Sequence, residues 1–234
     1  MSRRVSRVGA REGYDHWAAT YDRTLNPLVH LDRKHAVRRL SPRPNERILD
    51  AGCGTGANLR TIRRSGSDAV GIDFSRGMLR VAQHAVPGAR LAQADLDARL
   101  PLRGESFDGL LCSLVSEHLK RLDTLFSEAF GVLRGGGRMV FSAFHPELAA
   151  SGIEANFESD DIEYRLGAEQ HSVDDYLNHM DDAGFTELRW SEHSISEDFL
   201  EKLPSAAKYR GRPMLLVIEG SRARSTAAVQ SATA

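Results

Sequence analysis

Three glycines at alternate positions, Gly52, Gly54 and Gly56, interrupt an apolar run in "RILDAGCGTGANL". A turn without side chains lets the backbone lie against a ligand. A helix following it would add unpaired N–H groups and the positive end of its dipole. Gly52, Gly54 and Ala57 also fit G-x-G-x-x-G/A, with Asp73 near the acidic offset of dinucleotide sites. A phosphate loop is excluded because no Gly-Lys-Ser/Thr follows. Asp50 closes the run just before the loop, where a pyrophosphate would meet a negative charge. A ligand carrying an ammonium or sulfonium matches that carboxylate better. The alternative use of the glycines is a structural turn. Proton transfer near neutral pH is the second chemistry on offer, and histidine is its usual agent. His118 in "SEHL" and His145 in "FHPE" each follow a strand-like run, and Pro146 restrains the chain after His145. Either histidine could serve as a base, or merely cap a strand end.

These residues need a scaffold. Strand-like runs occur at 47–52, 68–73, 89–95, 107–115, 137–144, 185–193 and 213–220. Helical patterns occupy 55–65, 76–85, 121–133 and 172–183 between them. Alternation of this kind predicts a parallel sheet with helices on both faces, a doubly wound α/β fold. Ligands of such sheets bind beyond the carboxyl ends of the strands, where the strand order reverses. The glycine loop leaves one of those ends.

The bulk composition restricts the partners. The 234 residues carry a formal net charge of −1, with 41% hydrophobic and 27% charged residues. That length fits one domain with a substantial core. Near-neutral charge gives no case for nucleic acid or an anionic membrane. Runs such as "PMLLVIEG" are too short to span a bilayer. Two cysteines, Cys53 and Cys112, build no disulfide framework and suit a reducing compartment. The basic start "MSRRVSRVGAREG" lacks an apolar stretch and does not read as a signal peptide, so a cytoplasmic setting is expected. Residues 1–12 read as a flexible lead and 221–234 as a disordered tail.

Taken together, the motifs resemble those of class I S-adenosylmethionine-dependent methyltransferases of the small-molecule, UbiE-like kind. "ILDAGCGTG" (48–56) resembles the first motif, "VGIDFS" (70–75) the second, "AQADLDARLPL" (92–102) the third and "ESFDGLLCSLVSEHL" (105–119) the fourth. "VLRGGGRMVFS" (132–142) resembles the segment entering the fifth strand, with Gly135 where the family usually has proline. The match is strong over 14–144 and only an outline beyond. It implies a Rossmann-like sheet of seven strands, the last antiparallel, and S-adenosylmethionine as cofactor. By resemblance, Gly52, Gly54 and Gly56 lie under the methionine part of the cofactor and Asp50 stands beside them. Asp73 takes both ribose hydroxyls, a task suited to a bidentate acceptor. Asp95 accepts from the adenine amino group and the Leu96 N–H donates to the ring. Phe74 and Met78 either pack in the core or border adenine, with adenine favoured because Phe74 directly follows Asp73; Ser113 of the fourth motif joins the cofactor set.

Upstream, "GYDHWAATYDRTLNP" (13–27) resembles the helical segment that small-molecule members fold over the cofactor. Tyr14, Trp17 and Tyr21 share one helix face, either as core aromatics or with Tyr21 at the cofactor carboxylate or acceptor. The resemblance places the domain at 13–220, with a helical cap at 13–40. The stretch 146–171 exceeds a simple connection and is expected to form a flap over the acceptor. The sulfonium methyl is already electrophilic, so the protein mainly aligns the nucleophile and excludes water. A hydroxyl acceptor also needs a base, which falls to His145 or His118, with His145 slightly favoured. No Cys/His spacing resembles a zinc site and no metal is expected. The expected function is methyl transfer to a small-molecule acceptor, with oxygen ahead of nitrogen and carbon, in secondary metabolism, by a monomer or homodimer. Competing functions are a relative that binds S-adenosylmethionine for another reaction, a nicotinamide oxidoreductase and a macromolecular substrate.

Overall fold

The computed structural model describes residues 4–224. Seven strands form the main sheet: β2 (Arg47–Ala51), β3 (Asp68–Asp73), β4 (Arg90–Gln93), β5 (Phe107–Ser113), β6 (Leu133–Phe144), β9 (Thr186–His193) and β10 (Leu215–Ser221). Their spatial order is β4-β3-β2-β5-β6-β10-β9. Strands β2 to β6 pair in parallel, and β10 enters antiparallel to both β6 and β9. The seven-stranded, mainly parallel sheet agrees with the sequence reading. Order reverses between β2 and β5, so their carboxyl ends flank the crevice where such sheets bind ligands.

Alternation along each strand divides the core. Leu49, Ile72, Leu110, Met139 and Phe141 face a layer containing α5 (Leu122–Val132) and α7 (Val173–Asp182). Ile48, Ala69, Leu111 and Val140 face the opposite layer, with α2 (Pro27–Leu40), α3 (Ala57–Arg64) and α8 (Glu197–Lys202). Successive side chains of a strand point to opposite faces, so a run with both faces covered reads as continuously apolar. Local caps fix the helix starts. Asn26 accepts from the N–H groups of Leu28 at 2.9 Å and Val29 at 3.4 Å, with Pro27 at the first helical position. Ser75 accepts from Met78 N–H at 3.1 Å and opens α4 (Arg76–Ala85).

The N-terminal lead departs from expectation. Residues 4–7 form β1 (Arg4–Arg7), which pairs in parallel with β8 (Ile162–Arg165) and begins a three-stranded sheet. The third strand is β7 (Asn156–Ser159), antiparallel to β8 with Phe157 opposite Tyr164. Sequence alone could not show this pairing, because the partner lies more than 150 residues away and β1 has little apolar content of its own. The stretch beyond α6 (Pro146–Ala149) is therefore a built element joined to the lead. Helix α1 (Ala10–Trp17) lies beneath it, with Trp17, Phe157 and Leu166 buried together. Ser221 still belongs to β10, and Arg222 donates to the carbonyls of Phe130 at 2.9 Å and Leu133 at 2.8 Å. The rest of the expected tail, from 225 onward, lies outside the described residues. No helix among the described residues is long and apolar enough to cross a membrane.

Candidate functional site

The loop after β2 is held by its neighbour strand. The N–H groups of Gly52 and Cys53 both donate to the Ile72 carbonyl, at 2.8 and 2.9 Å. Gly52 and Gly54 have φ of +77° and +50°, values that side chains resist. A Cβ on Gly52 would overlap Val115 Cγ1, so the loop after β2 and the loop after β5 meet there without room for a methyl group. Gly56, at φ +83°, starts α3 close to Ala82 and Val86 of the α4 end. A Cβ on Gly54 would meet no protein atom within 4 Å.

Gly54 opens instead onto a cavity of about 1230 Å³. Asp73, at the end of β3, links the loop to that cavity. Its carboxylate accepts from Gly54 N–H at 2.9 Å and from Ser75 N–H at 2.8 Å. A carboxylate has about four acceptor positions, so capacity remains for a ligand's hydroxyls. Burial raises the Asp73 pKa, and these two N–H bonds oppose it. Ser113 Oγ, also on the cavity wall, is buried without a hydrogen-bond partner. Spare acceptor positions, an unpartnered hydroxyl and a loop free of side chains are what a ligand of S-adenosylmethionine's chemistry needs. The residues present fit that cofactor.

Gly52, Gly54, Asp73, Phe74, Met78, Asp95, Leu96, Ser113, Tyr21 and His118 all line this one cavity. Asp95 is about half exposed and is bonded by the Arg11 guanidinium at 2.8 Å, which also lies 5.8 Å from the Phe74 ring centre. Asp50 and Gly56 do not line the cavity. Asp50 is fully buried beneath the loop with Oδ2 unpartnered. Burial first, then the Asp32 and Asp73 carboxylates, push its pKa up to about 8.

His145 is a correction to the sequence reading. It is buried, lies outside the cavity lining and has both ring nitrogens occupied. Nε2 lies 3.1 Å from Glu192 Oε1 of β9, and Nδ1 accepts from Glu147 N–H at 3.4 Å to cap α6. Its backbone N–H donates to the Met214 carbonyl at 2.8 Å. The end of β6 abuts β10, with β9 next beyond it, so the histidine turns toward that edge rather than over the crevice. The capping use is the one realised.

His118 ends a 3₁₀ turn, Ser116–His118, just after β5. Its Nε2 lies 3.0 Å from the Tyr14 hydroxyl of α1, and the two rings meet edge-on. Burial lowers the His118 pKa below the usual histidine value, and Glu117 opposes that shift. Burial also raises the Tyr14 phenol well above its ordinary value, with Tyr21, Glu117 and Asp73 adding to the effect. The pair is thus a neutral imidazole beside a neutral phenol. Helix α1 is placed by Asp15, which accepts from Ser75 Oγ and Gly77 N–H, both at 2.7 Å.

Sequence reasoning did not assign three residues to this cavity. Tyr14 was one aromatic among several, with no sign that it meets His118. Glu117 lines the cavity beside His118. Asp32 of α2 also lines it, accepting from Ser142 Oγ at 2.6 Å and Asn58 Nδ2 at 3.1 Å. Its signal was an acid in an otherwise buried helix stripe, which the Ser142 and Asn58 contacts explain. Among the described residues, no group of three or more histidine, cysteine or acidic side chains could hold a metal ion.

Comparison with known proteins agrees with this geometry. Residues 49–141 match the family model described as a methyltransferase domain. The demethylmenaquinone methyltransferase of Streptomyces avermitilis is 34% identical over 142 residues, covering 58% of this chain and 61% of that protein. The malonyl-[acyl-carrier protein] O-methyltransferase of Methylococcus capsulatus is 36% identical over 145 residues, covering 60% of this chain and 50% of that protein. The chain thus spans about three fifths or less of the length of these curated relatives. The crystal structure of an S-adenosylmethionine-dependent methyltransferase from Mesorhizobium loti superposes with a TM-score of 0.67 at 26% identity, covering 80% of this chain and 96% of that one. With Asp73 and the glycine loop arranged around one cavity at the sheet's reversal point, the chain is similar in sequence over residues 49–141, and in fold, to the class I S-adenosylmethionine-dependent methyltransferases.

Proposed function

We propose that the chain transfers the methyl group of S-adenosylmethionine to a small-molecule acceptor, and that the acceptor atom is oxygen. The carrying observation is the Tyr14–His118 pair on the wall of the cavity that also contains Gly54 and Asp73. The cavity volume exceeds that of a usual drug-sized site, leaving room for cofactor and acceptor together. When bound, the cofactor supplies an electrophilic methyl on sulfur. The protein's own part is to hold the acceptor in line and receive its proton. An acceptor hydroxyl placed beside Tyr14 would give its proton to Tyr14 Oη as it took up the methyl group that the cofactor would supply. Tyr14 in turn passes its own to His118 Nε2. An imidazole held neutral at neutral pH has a free nitrogen able to receive a proton. Helix α1 forms one wall of the cavity and so limits the access of water to it. The Methylococcus O-methyltransferase and the Streptomyces demethylmenaquinone methyltransferase support a methyl transfer on this scaffold.

The test is acceptor-dependent release of S-adenosylhomocysteine from a panel of phenols and alcohols. Turnover with hydroxyl acceptors that disappears in their pre-methylated counterparts supports the reading. Cofactor binding without such release from any of them would instead indicate a non-methylating relative.

A further inference from the structure

Glu117 is a charged group on the cavity wall that the proposed reaction leaves unused. Its side chain is only 14% exposed, and Oε2 is buried without any hydrogen-bond partner. Oε1 lies 4.0 Å from His118 Nε2, too far for a hydrogen bond. Among the described residues, no lysine or arginine forms an ion pair with it. The cationic side chains nearby are committed elsewhere: Arg33 to Asp22 at 2.8 Å, Arg11 to Asp95 at 2.8 Å and Arg7 to Glu154 at 3.3 Å. Lys120 stands at the exposed rim. A carboxylate oxygen buried without a donor or countercharge is unfavourable, so Oε2 on the cavity wall marks a place for a ligand's positive group. The walls beside it agree. The rings of Tyr14 and Tyr21 line the same cavity with centroids 6.2 Å apart and planes at 57°. Aromatic faces near a carboxylate form the environment that attracts an ammonium through the ring quadrupole.

We propose that Glu117, with the rings of Tyr14 and Tyr21, forms an ammonium-binding subsite, so that the acceptor is a small hydroxylated amine held by its charged nitrogen. This rests on the methyltransferase reading for the atom that is methylated, whereas the charge preference belongs to the subsite itself. Glu117 acts here in specificity, and the Tyr14–His118 pair acts on the hydroxyl proton. An anionic acceptor would meet Glu117 with like charge, in a cavity where acidic side chains already outnumber basic ones.

The test is a titration of three phenols of matched shape, namely tyramine (cationic), 4-ethylphenol (neutral) and 4-hydroxyphenylacetate (anionic). Each is added to the full chain with and without S-adenosylhomocysteine, and binding is read by calorimetry. Tyramine should bind at least about tenfold more tightly than the anion, since juxtaposed like charges are strongly disfavoured. Glu117→Gln, which keeps the shape, should abolish that preference while S-adenosylhomocysteine still binds. Glu169→Gln, an exposed acid on the same rim, should leave it intact and so rule out a diffuse field as the cause. Failure of tyramine to outbind the other two, or a preference that survives Glu117→Gln, overturns the proposal. No binding of S-adenosylhomocysteine to the wild type counts against the methyltransferase reading, a separate result from the loss of cation preference.

Discussion

Gly54→Ala separates ligand contact from folding more cleanly than any other change in the loop. At φ +50° an L-residue costs about 1–2 kcal/mol in the folded state. Loss of unfolded-state freedom returns roughly 0.4–1 kcal/mol of this, so the net destabilisation is about 1 kcal/mol. No protein atom lies within 4 Å of the added methyl, so no overlap is added to that figure. The melting temperature should fall by about 2–4 °C. The methyl group points into the cavity, however, where overpacking costs about 1–3 kcal/mol, or roughly a five- to 150-fold rise in Kd for S-adenosylmethionine. Gly52→Ala is the contrasting variant. Its methyl would overlap Val115, adding about 1–3 kcal/mol of overpacking to the same backbone strain. Its melting temperature should therefore fall clearly further. The two variants are compared by thermal melting and by calorimetric titration with the cofactor. Unchanged cofactor affinity in Gly54→Ala, with the branched Gly54→Val also binding normally, would mean that the loop is only a turn.

Asp73→Ala should weaken S-adenosylmethionine binding by about 1–3 kcal/mol, because it removes a charged acceptor and also frees the Gly54 and Ser75 N–H groups. Wild-type affinity by calorimetry would take Asp73 out of the site. His118→Asn and Tyr14→Phe should each lower turnover by a factor on the order of 10²–10⁴ with little change in cofactor affinity. The base must be neutral, and burial lowers its pKa. The ascending limb of the wild-type pH–rate profile should accordingly lie below about pH 6.5, the ordinary histidine value. Near-normal turnover in both variants would rule out proton transfer through this pair. Asp50 holds its proton up to about pH 8 when folded but loses it near pH 4 when unfolded. The folded state then binds the extra proton across that window, so stability should fall as pH rises from about 4 to about 8. Asp50→Asn should flatten that slope in thermal melts, and an identical slope in both proteins would refute the assignment.

Much of the scaffold was legible because its signals are local. Strand β3 and helix α4 fall where their apolar patterns place them, and the other main-sheet strands follow within a few residues. Glycines at alternate positions announce a turn that backbone sterics alone demand, and Asp73 at the end of β3 follows from strand length. Distant pairing was not legible. Strand β1 exists only because β8 offers it an edge, and its own residues carry no strand-like pattern. The two histidines show the same division. His118 and His145 look equivalent in the sequence, each just beyond a parallel strand. Strand order separates them: β5 borders the reversal point, while β6 lies against β10, where Glu192 takes up the His145 ring. The choice of Tyr14 as partner of His118, and the burial of Glu117 Oε2 without a partner, arise from α1 lying over the crevice. Local sterics and periodicity are written residue by residue. Which side chains share a low-dielectric cavity depends on chain segments about 100 residues apart, and tertiary packing alone decides it.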